Sequence, residues 1–143
     1  MTNPSLPELT QKLTAFFSQR DVVLFAYIFG SLAKGTGGPS SDLDVAVYLK
    51  EDLSADQRFD SRLKLMGEIS SILHADNIDL IVLNDSPLAL RYSVIYQGII
   101  LDEKDASARI HFEAKSMSLF FDRQYYDQRH IQLNLENIAK GGL

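Results

Sequence analysis

The sequence predicts an α/β (α+β) fold in which a small mixed β-sheet is flanked by helices and followed by a C-terminal helical tail. Short apolar, β-branched runs alternate with longer segments in which apolar residues recur every three to four positions. The chain has 143 residues, of which 45% are hydrophobic and 23% charged, as in an ordinary globular protein. We therefore expect one domain over residues 1–143, with a core over about 5–103 and a helical tail over about 104–143.

The first part of the chain predicts one helix and two strands. Residues 6–19 keep helical spacing after Ser5, a good N-cap residue. Residues 22–29 are a continuous apolar run that predicts a buried strand. Residues 30–41 contain four of the eight glycines, which predicts a turn and a loop. Residues 42–49 begin with alternating acidic and apolar residues and predict the second strand.

The second part predicts further alternation of helix and strand. Ser54 caps a helix over 55–73, and its apolar stripe consists of Phe59, Leu63, Met66, Ile69 and Leu73. The later elements are a strand over 78–83, a helix over 86–96, a short strand over 98–101, and a helical segment over 106–139 that is broken near 123–127.

Composition excludes several classes of function. The absence of cysteine rules out disulfides, thiolate metal sites and a cysteine nucleophile. A net charge of −5, from 14 basic and 19 acidic residues, argues against a direct nucleic-acid partner. The N-terminus does not have the pattern of a signal peptide, and no apolar run approaches the length of about 20 residues that a membrane helix needs. We therefore expect a cytoplasmic protein without a membrane partner.

Two carboxylates follow the glycine-rich turn at a short, defined spacing. Gly30 and Ser31 end the first strand, and Asp42 and Asp44 open the next. Because side chains alternate along a strand, the two acids point to one face, with α-carbons about 7 Å apart. Adjacent carboxylates repel each other unless a cation lies between them. Mg²⁺ typically takes one or two carboxylates together with substrate phosphates, so the spacing predicts such a site.

Residues on either side of this pair complete the candidate site. Gly30 allows close approach of a phosphate, Ser31 and the following N–H groups can donate to it, and Lys34 adds a positive charge. Asp79 is a third acid, inside an apolar strand where a charge is costly unless it is paired or metal-bound. Its role would be metal ligand, general base or both. The alternative is an outward-facing or edge position.

The string Gly30-Ser31-x-Ala33-Lys34-Gly35, followed by Ser41-Asp42-x-Asp44, resembles the signature of the DNA-polymerase-β-type nucleotidyltransferase superfamily. Within it, the chain is similar to the minimal nucleotidyltransferase (MNT) branch, whose members are commonly MntA-like antitoxins of HEPN/MNT toxin–antitoxin pairs. One departure is Lys34, where the family usually has arginine. The positive charge is kept, but bidentate phosphate binding is not.

The resemblance implies a nucleotidyltransferase fold and a magnesium-dependent transfer of AMP from ATP to a hydroxyl group. The acceptor it implies is a tyrosine of a partner HEPN ribonuclease toxin, which is silenced within a hetero-oligomer. The family pattern assigns Mg²⁺, in two ions, to Asp42, Asp44 and the third acid Asp79. It assigns the triphosphate to Gly30, Ser31, Lys34 and Ser41.

Two other functions stay open at this point. An antitoxin could act only by binding and occlusion, and a small-molecule nucleotidyltransferase would need an acceptor pocket that a tail over 104–143 is too short to build alone. Arg91, Tyr92 and Tyr96 are candidates for a base pocket. Aromatic residues of the tail belong either to the core or to a surface that faces a partner. They are Phe120, Phe121, Tyr125 and Tyr126.

Overall fold

The computed structural model describes residues 5–33, 35 and 42–140. Its helices are α1 (Leu6–Ser18), α2 (Gly30–Ala33), α3 (Ala55–Leu73), α4 (Leu88–Gln97) and α5 (Ala106–Ala139). Its strands are β1 (Val23–Phe29), β2 (Leu43–Leu49), β3 (Ile78–Val82) and β4 (Ile99–Glu103), and a short 3₁₀ turn covers Leu83–Asp85.

The four strands form one mixed sheet in the order β3-β2-β1-β4. β1 pairs antiparallel with both β2 and β4, whereas β2 and β3 are parallel. The predicted class, a small mixed sheet flanked by helices and followed by a C-terminal helix, is confirmed. The strand order has one consequence for function: β1 ends where β2 and β3 begin, so the turn after β1 and the starts of both other strands share one end of the sheet.

Helices cover both faces of the sheet. On one face, Phe17 of α1 and Ile69 of α3 pack with Val45 of β2. On the other face, Val94 of α4 and Phe112 of α5 belong to a second buried cluster. Alternating residues of β1 and β2 supply the two clusters. Strands buried on both faces read as continuous apolar runs, which is why the sequence revealed them so clearly.

The apolar stripe predicted for α3 is partly wrong. Leu65 and Ile69 are the buried residues of this helix, whereas Phe59 is 56% exposed and Leu63 is 50% exposed. Leu63 precedes Leu65 by two positions and therefore lies about 160° around the helix from it. The sequence offered two apolar arcs on α3, and only contact with the sheet decides which one is buried.

The C-terminal segment is one continuous helix of 34 residues, so the predicted break near 123–127 is wrong. No glycine or proline occurs between Ala106 and Ala139, and nothing else interrupts the helical hydrogen bonds. Across the described residues, no helix combines the length and the apolar character needed to cross a membrane.

α4 and α5 run in the same direction, toward the end of the sheet at which β1 ends. α4 leads into β4 at Ile99, which pairs with Ile28 near the end of β1. α5 starts after β4, where the N–H of Lys104 donates to the carbonyl of Leu24 near the beginning of β1. The two helices therefore share one face of the sheet and approach the same end of it.

α5 extends well past α4 at that end. Tyr92 of α4 stacks on Phe120 of α5 with ring centroids 4.1 Å apart. Beyond this contact α4 has five more residues, whereas α5 has 19, or about 28 Å. Every residue from 121 to 140 is exposed. We call residues 121–139 the projecting half of α5.

Candidate active site

Strand register brings the predicted acids together at the end of the sheet. Asp44 pairs with Asp79 in the parallel register of β2 and β3. Asp42 precedes β2 directly and stands two positions before Asp44. Paired residues of adjacent strands share a face, so the carboxylates of Asp44 and Asp79 lie on the side of the sheet that α4 and α5 cover. We call this region the acidic end.

The electrostatics of Asp44 reflect its acidic neighbours. Its carboxyl group is half-buried, and burial is the main factor that raises its pKa. The negative charges of Asp79 and Asp42 raise that pKa further. A carboxylate surrounded in this way is stabilised by a cation, and hard oxygen donors are the ligands that Mg²⁺ prefers. The donor set at the acidic end therefore suits this ion.

The acids are adjacent but do not form a closed cage. Within the described ranges, no three His, Cys, Asp or Glu side chains converge tightly enough to hold a metal ion between them. Substrate phosphates and water supply the remaining ligands in typical Mg²⁺ sites, so a ready-made protein cage is not required.

The position of Asp79 differs from the buried setting that its apolar strand suggested. β3 is an edge strand, and Asp79 is exposed. Water therefore solvates its charge, and the argument from the cost of burial does not apply. The edge alternative describes the position correctly, although the same residue still faces Asp44 through the strand register.

Gly30 has a role that the sequence did not reveal. Its φ is +77°, and a β-carbon at this position would lie 2.2 Å from Oδ2 of Asp44. The three nearest atoms to that β-carbon all belong to Asp44. Gly30 is therefore required for the placement of the Asp44 carboxylate, in addition to any close approach of a phosphate. The sequence alone could not show this contact between Gly30 and Asp44, because the contact depends on how β1 and β2 pair.

The other predicted nucleotide-binding residues fall into two groups. Ser31 lies in α2, next to Gly30 and half-buried. Lys34 and Ser41 lie outside the described residues, so their assignments stay predictions.

The candidates for a base pocket do not form one group. Tyr92 and Tyr96 stack on each other along α4, with ring centroids 5.9 Å apart. Arg91 instead donates to the carbonyl oxygens of Ser86 and Asn84, near the start of α4 and away from the acidic end. Only the tyrosines therefore extend along α4 toward the acidic end.

Comparison with known families identifies the class of this protein. The family model described as "Polymerase beta, Nucleotidyltransferase" matches residues 11–107. This span covers most of the chain and includes the acidic end. The chain belongs to this nucleotidyltransferase family. No curated protein matches the sequence.

Several solved structures with the same fold are toxin–antitoxin complexes. A chain of a toxin–antitoxin complex with AMP-PNP is 25% identical, with a TM-score of 0.66, and the match covers 89% of this chain and 96% of that chain. A chain of an MntA–HepT toxin–antitoxin is 23% identical, with a TM-score of 0.62 and coverages of 89% and 97%. A chain from a complex of tri-AMPylated Shewanella oneidensis HEPN toxin with MNT antitoxin is 23% identical, with a TM-score of 0.62 and coverages of 88% and 98%. The resemblance to MNT antitoxins is thereby confirmed.

Proposed function

We propose that this protein is the antitoxin of a HEPN/MNT pair and a magnesium-dependent protein adenylyltransferase. It transfers AMP from ATP to a tyrosine hydroxyl of its HEPN toxin and thereby neutralises the toxin. The observation that carries this proposal is the register that sets Asp44 opposite Asp79, with Asp42 two residues earlier and Gly30 against Asp44. Similar folds in complexes with AMP-PNP and with an AMPylated HEPN toxin support it.

The acidic residues have distinct tasks in this reaction. Asp42 and Asp44 hold Mg²⁺, with Asp79 as the third acid. When bound, the metal neutralises charge on the triphosphate and helps to align it. Asp79 accepts the proton of the attacking hydroxyl, and its exposure on an edge strand makes it accessible to a macromolecular acceptor.

The transfer balances as a substitution at phosphorus. The tyrosine oxygen forms a bond to the α-phosphorus of ATP, and the bond from that phosphorus to the bridging oxygen breaks. Pyrophosphate leaves, and the phenolic proton moves to Asp79. Such transfers depend mainly on positioning and charge neutralisation. Gly30 and Ser31, together with Lys34 and Ser41, are the residues proposed to position the triphosphate.

The projecting half of α5 supplies a surface for the toxin. Five of its seven exposed large apolar residues share one arc of the helix and form a stripe: Phe121, Tyr125, Ile131, Leu135 and Ile138. Asp122, Arg129 and Glu136 lie outside this arc. Contiguous exposed apolar patches mark protein interaction sites. A toxin that packs on this stripe lies beside the acidic end, which brings its tyrosine within reach.

The proposal is tested with the purified antitoxin and its HEPN partner. Incubation with ATP and MgCl₂, followed by intact-mass measurement of the toxin, should show added adenylyl groups. We expect Asp44→Asn to reduce the transfer rate by roughly 10²-fold or more, since it removes charge at the reacting centre. Asp60→Asn is the matched control, because Asp60 is an exposed acid of α3 far from the acidic end. Transfer at the normal rate by a folded Asp44→Asn variant would refute the proposed chemistry.

Neutralisation by occlusion is the second candidate, and the apolar stripe of α5 is the observation in its favour. It predicts that the antitoxin inhibits the toxin's ribonuclease activity without ATP and Mg²⁺, and that Asp44→Asn inhibits equally well. The Leu135→Asp variant separates the two functions. It should weaken toxin binding under either mechanism. If transfer is the basis of neutralisation, an excess of the variant should still add adenylyl groups to the toxin. If occlusion is the basis, the mass of the toxin should stay unchanged.

A further inference from the structure

A polar cavity opens on the face that α4 and α5 cover, at the end of the sheet opposite the acidic end. Its volume is about 390 Å³, and its walls include Tyr48 at the end of β2 and Phe112 of α5. Tyr48 follows Asp44 by four residues, so the cavity lies about 13 Å along the strand from the acidic end. It is therefore a separate site on the same face of the sheet. We call it the basic cavity.

Two guanidinium groups of the basic cavity are held in place by the protein. Arg58 makes two hydrogen bonds of 2.8 Å to the carboxylate of Asp85 and a third to a backbone carbonyl. Arg91 donates to the carbonyl oxygens of Ser86 and Asn84 at 2.9 and 3.1 Å. Because carbonyl oxygens carry no net charge, the positive charge of Arg91 is oriented but not neutralised by these contacts.

Two further basic side chains face the same space from α5. His111 and Lys115 stand one helical turn apart and both line the cavity. In the described part of the chain, neither has a hydrogen-bond or ion-pair partner. Long unpaired side chains beside a cavity are free to close on a ligand.

The charge of the basic cavity is opposite to that of the whole chain. Arg58, Arg91 and Lys115 face one carboxylate in the cavity wall, Glu51. That carboxylate already accepts a 2.7 Å hydrogen bond from the hydroxyl of Tyr48. Even when Asp85 is counted against Arg58, the lining stays positive, whereas the chain carries a net charge of −5. An accumulation of cations in an acidic protein calls for an anionic ligand.

We propose that the basic cavity binds a small phosphorylated anion of mononucleotide size, independently of the acidic end. The oriented guanidinium group of Arg91, whose charge no carboxylate pairs, matches the oxygens of a phosphoryl group and loses little side-chain freedom on binding. The volume lies within the range of small-molecule pockets. The rings of Tyr48 and Phe112 give the cavity an apolar wall against which the rest of the ligand packs.

The test measures binding in EDTA, where a magnesium-dependent site does not operate. The full-length protein is titrated calorimetrically with AMP and, separately, with inorganic phosphate. We expect saturable binding that Lys115→Glu weakens at least tenfold. Lys64→Glu, the same charge change at an exposed position of α3, should leave it unchanged. Binding should also persist in Asp44→Asn, which separates this site from the proposed function.

The two ligands distinguish what the basic cavity recognises. Tighter binding of AMP than of phosphate supports a nucleotide ligand, and equal binding supports recognition of the phosphoryl group alone. The imidazole resonances of His111, followed by NMR in Lys115→Gln and in the wild type, give a second readout if Lys115→Glu fails to fold. The proposal is overturned if neither ligand binds saturably, if Lys115→Glu and Lys64→Glu act equally, or if ligand leaves the His111 resonances unmoved.

Discussion

Substitution of Gly30 by alanine tests the link between the turn after β1 and the acidic end. The backbone at Gly30 has φ +77°, a region that costs an alanine about 1–2 kcal/mol. The new β-carbon would also lie 2.2 Å from Oδ2 of Asp44, so this carboxylate must leave its position. An off-rotamer side chain adds about 1 kcal/mol. We expect Gly30→Ala to lower the free energy of unfolding by about 2–3 kcal/mol.

Gly35→Ala is the matched control for this variant. Gly35 has a similar φ of +74°, but none of the described residues would lie within 4 Å of a β-carbon there. It should therefore show only the backbone cost of about 1–2 kcal/mol. Thermal unfolding followed by circular dichroism measures both, since 1 kcal/mol corresponds to about 3–4 °C in Tm for a chain of this size. Gly30→Ala should also lose the proposed transfer activity while it is still folded, because Asp44 is displaced.

A double-mutant cycle isolates the contact itself. In the Asp44→Ala background, Oδ2 and Cγ are absent, so the cost of Gly30→Ala should fall to that of Gly35→Ala. The expected coupling energy between Gly30 and Asp44 is about 1 kcal/mol. The reasoning is refuted if Gly30→Ala and Gly35→Ala destabilise the protein equally, or if the two substitutions in the cycle are additive.

Three further predictions concern the packing around β2 and α3. Asn84→Ala should lower the free energy of unfolding in urea by about 1–3 kcal/mol. The side chain of Asn84 accepts from the N–H of Leu49 and donates to its C=O, both at 2.9 Å. A loss below about 0.5 kcal/mol would contradict this role. Burial and the bond to Glu51 raise the pKa of Tyr48 to about 12, so absorbance at 295 nm should show a late step that Tyr48→Phe removes. The phenol of Tyr48 ionises near pH 10 in the unfolded chain, so the free energy of unfolding should fall between about pH 10 and 12. The fall should be less steep in Tyr48→Phe. Identical pH profiles of the two proteins would exclude this effect. Ser54→Ala should lower stability by about 1 kcal/mol in thermal melts, because it removes the capping box of α3, and an unchanged Tm would argue against it.

The strands were predictable because their faces are covered on both sides. β1 and β2 begin one residue later than their predicted starts and end where predicted. β4 continues to Glu103, two residues past its predicted end, although these residues are polar. Pairing with β1 extends it, and Lys104 balances Asp102 through a 2.6 Å ion pair. Such long-range pairing is not visible in a local apolar pattern.

The candidate site was predictable only as far as spacing along one segment defines it. Asp42 and Asp44 are two residues apart, so strand periodicity alone places them on one side. The pairing of Asp44 with Asp79 depends on how β3 aligns with β2, and the contact of Gly30 with Asp44 depends on how β1 aligns with β2. Those alignments result from packing over the whole sheet. The basic cavity was missed for the same reason, since its side chains come from β2, α3, α4 and α5.

The exposure of the projecting half of α5 has a consequence for the lifetime of the protein without a bound partner. Residues 121–140 are all exposed, whereas most of the stability of a helix in a protein comes from tertiary packing of its apolar face. The backbone amides beyond Phe120 should therefore exchange with solvent fastest, and proteases should cut there first. Packing of the proposed toxin against the apolar stripe would slow both the amide exchange and the proteolysis. Under the proposed function, molecules without bound toxin would be cut first in the projecting half of α5, so the amount of antitoxin would follow the amount of toxin.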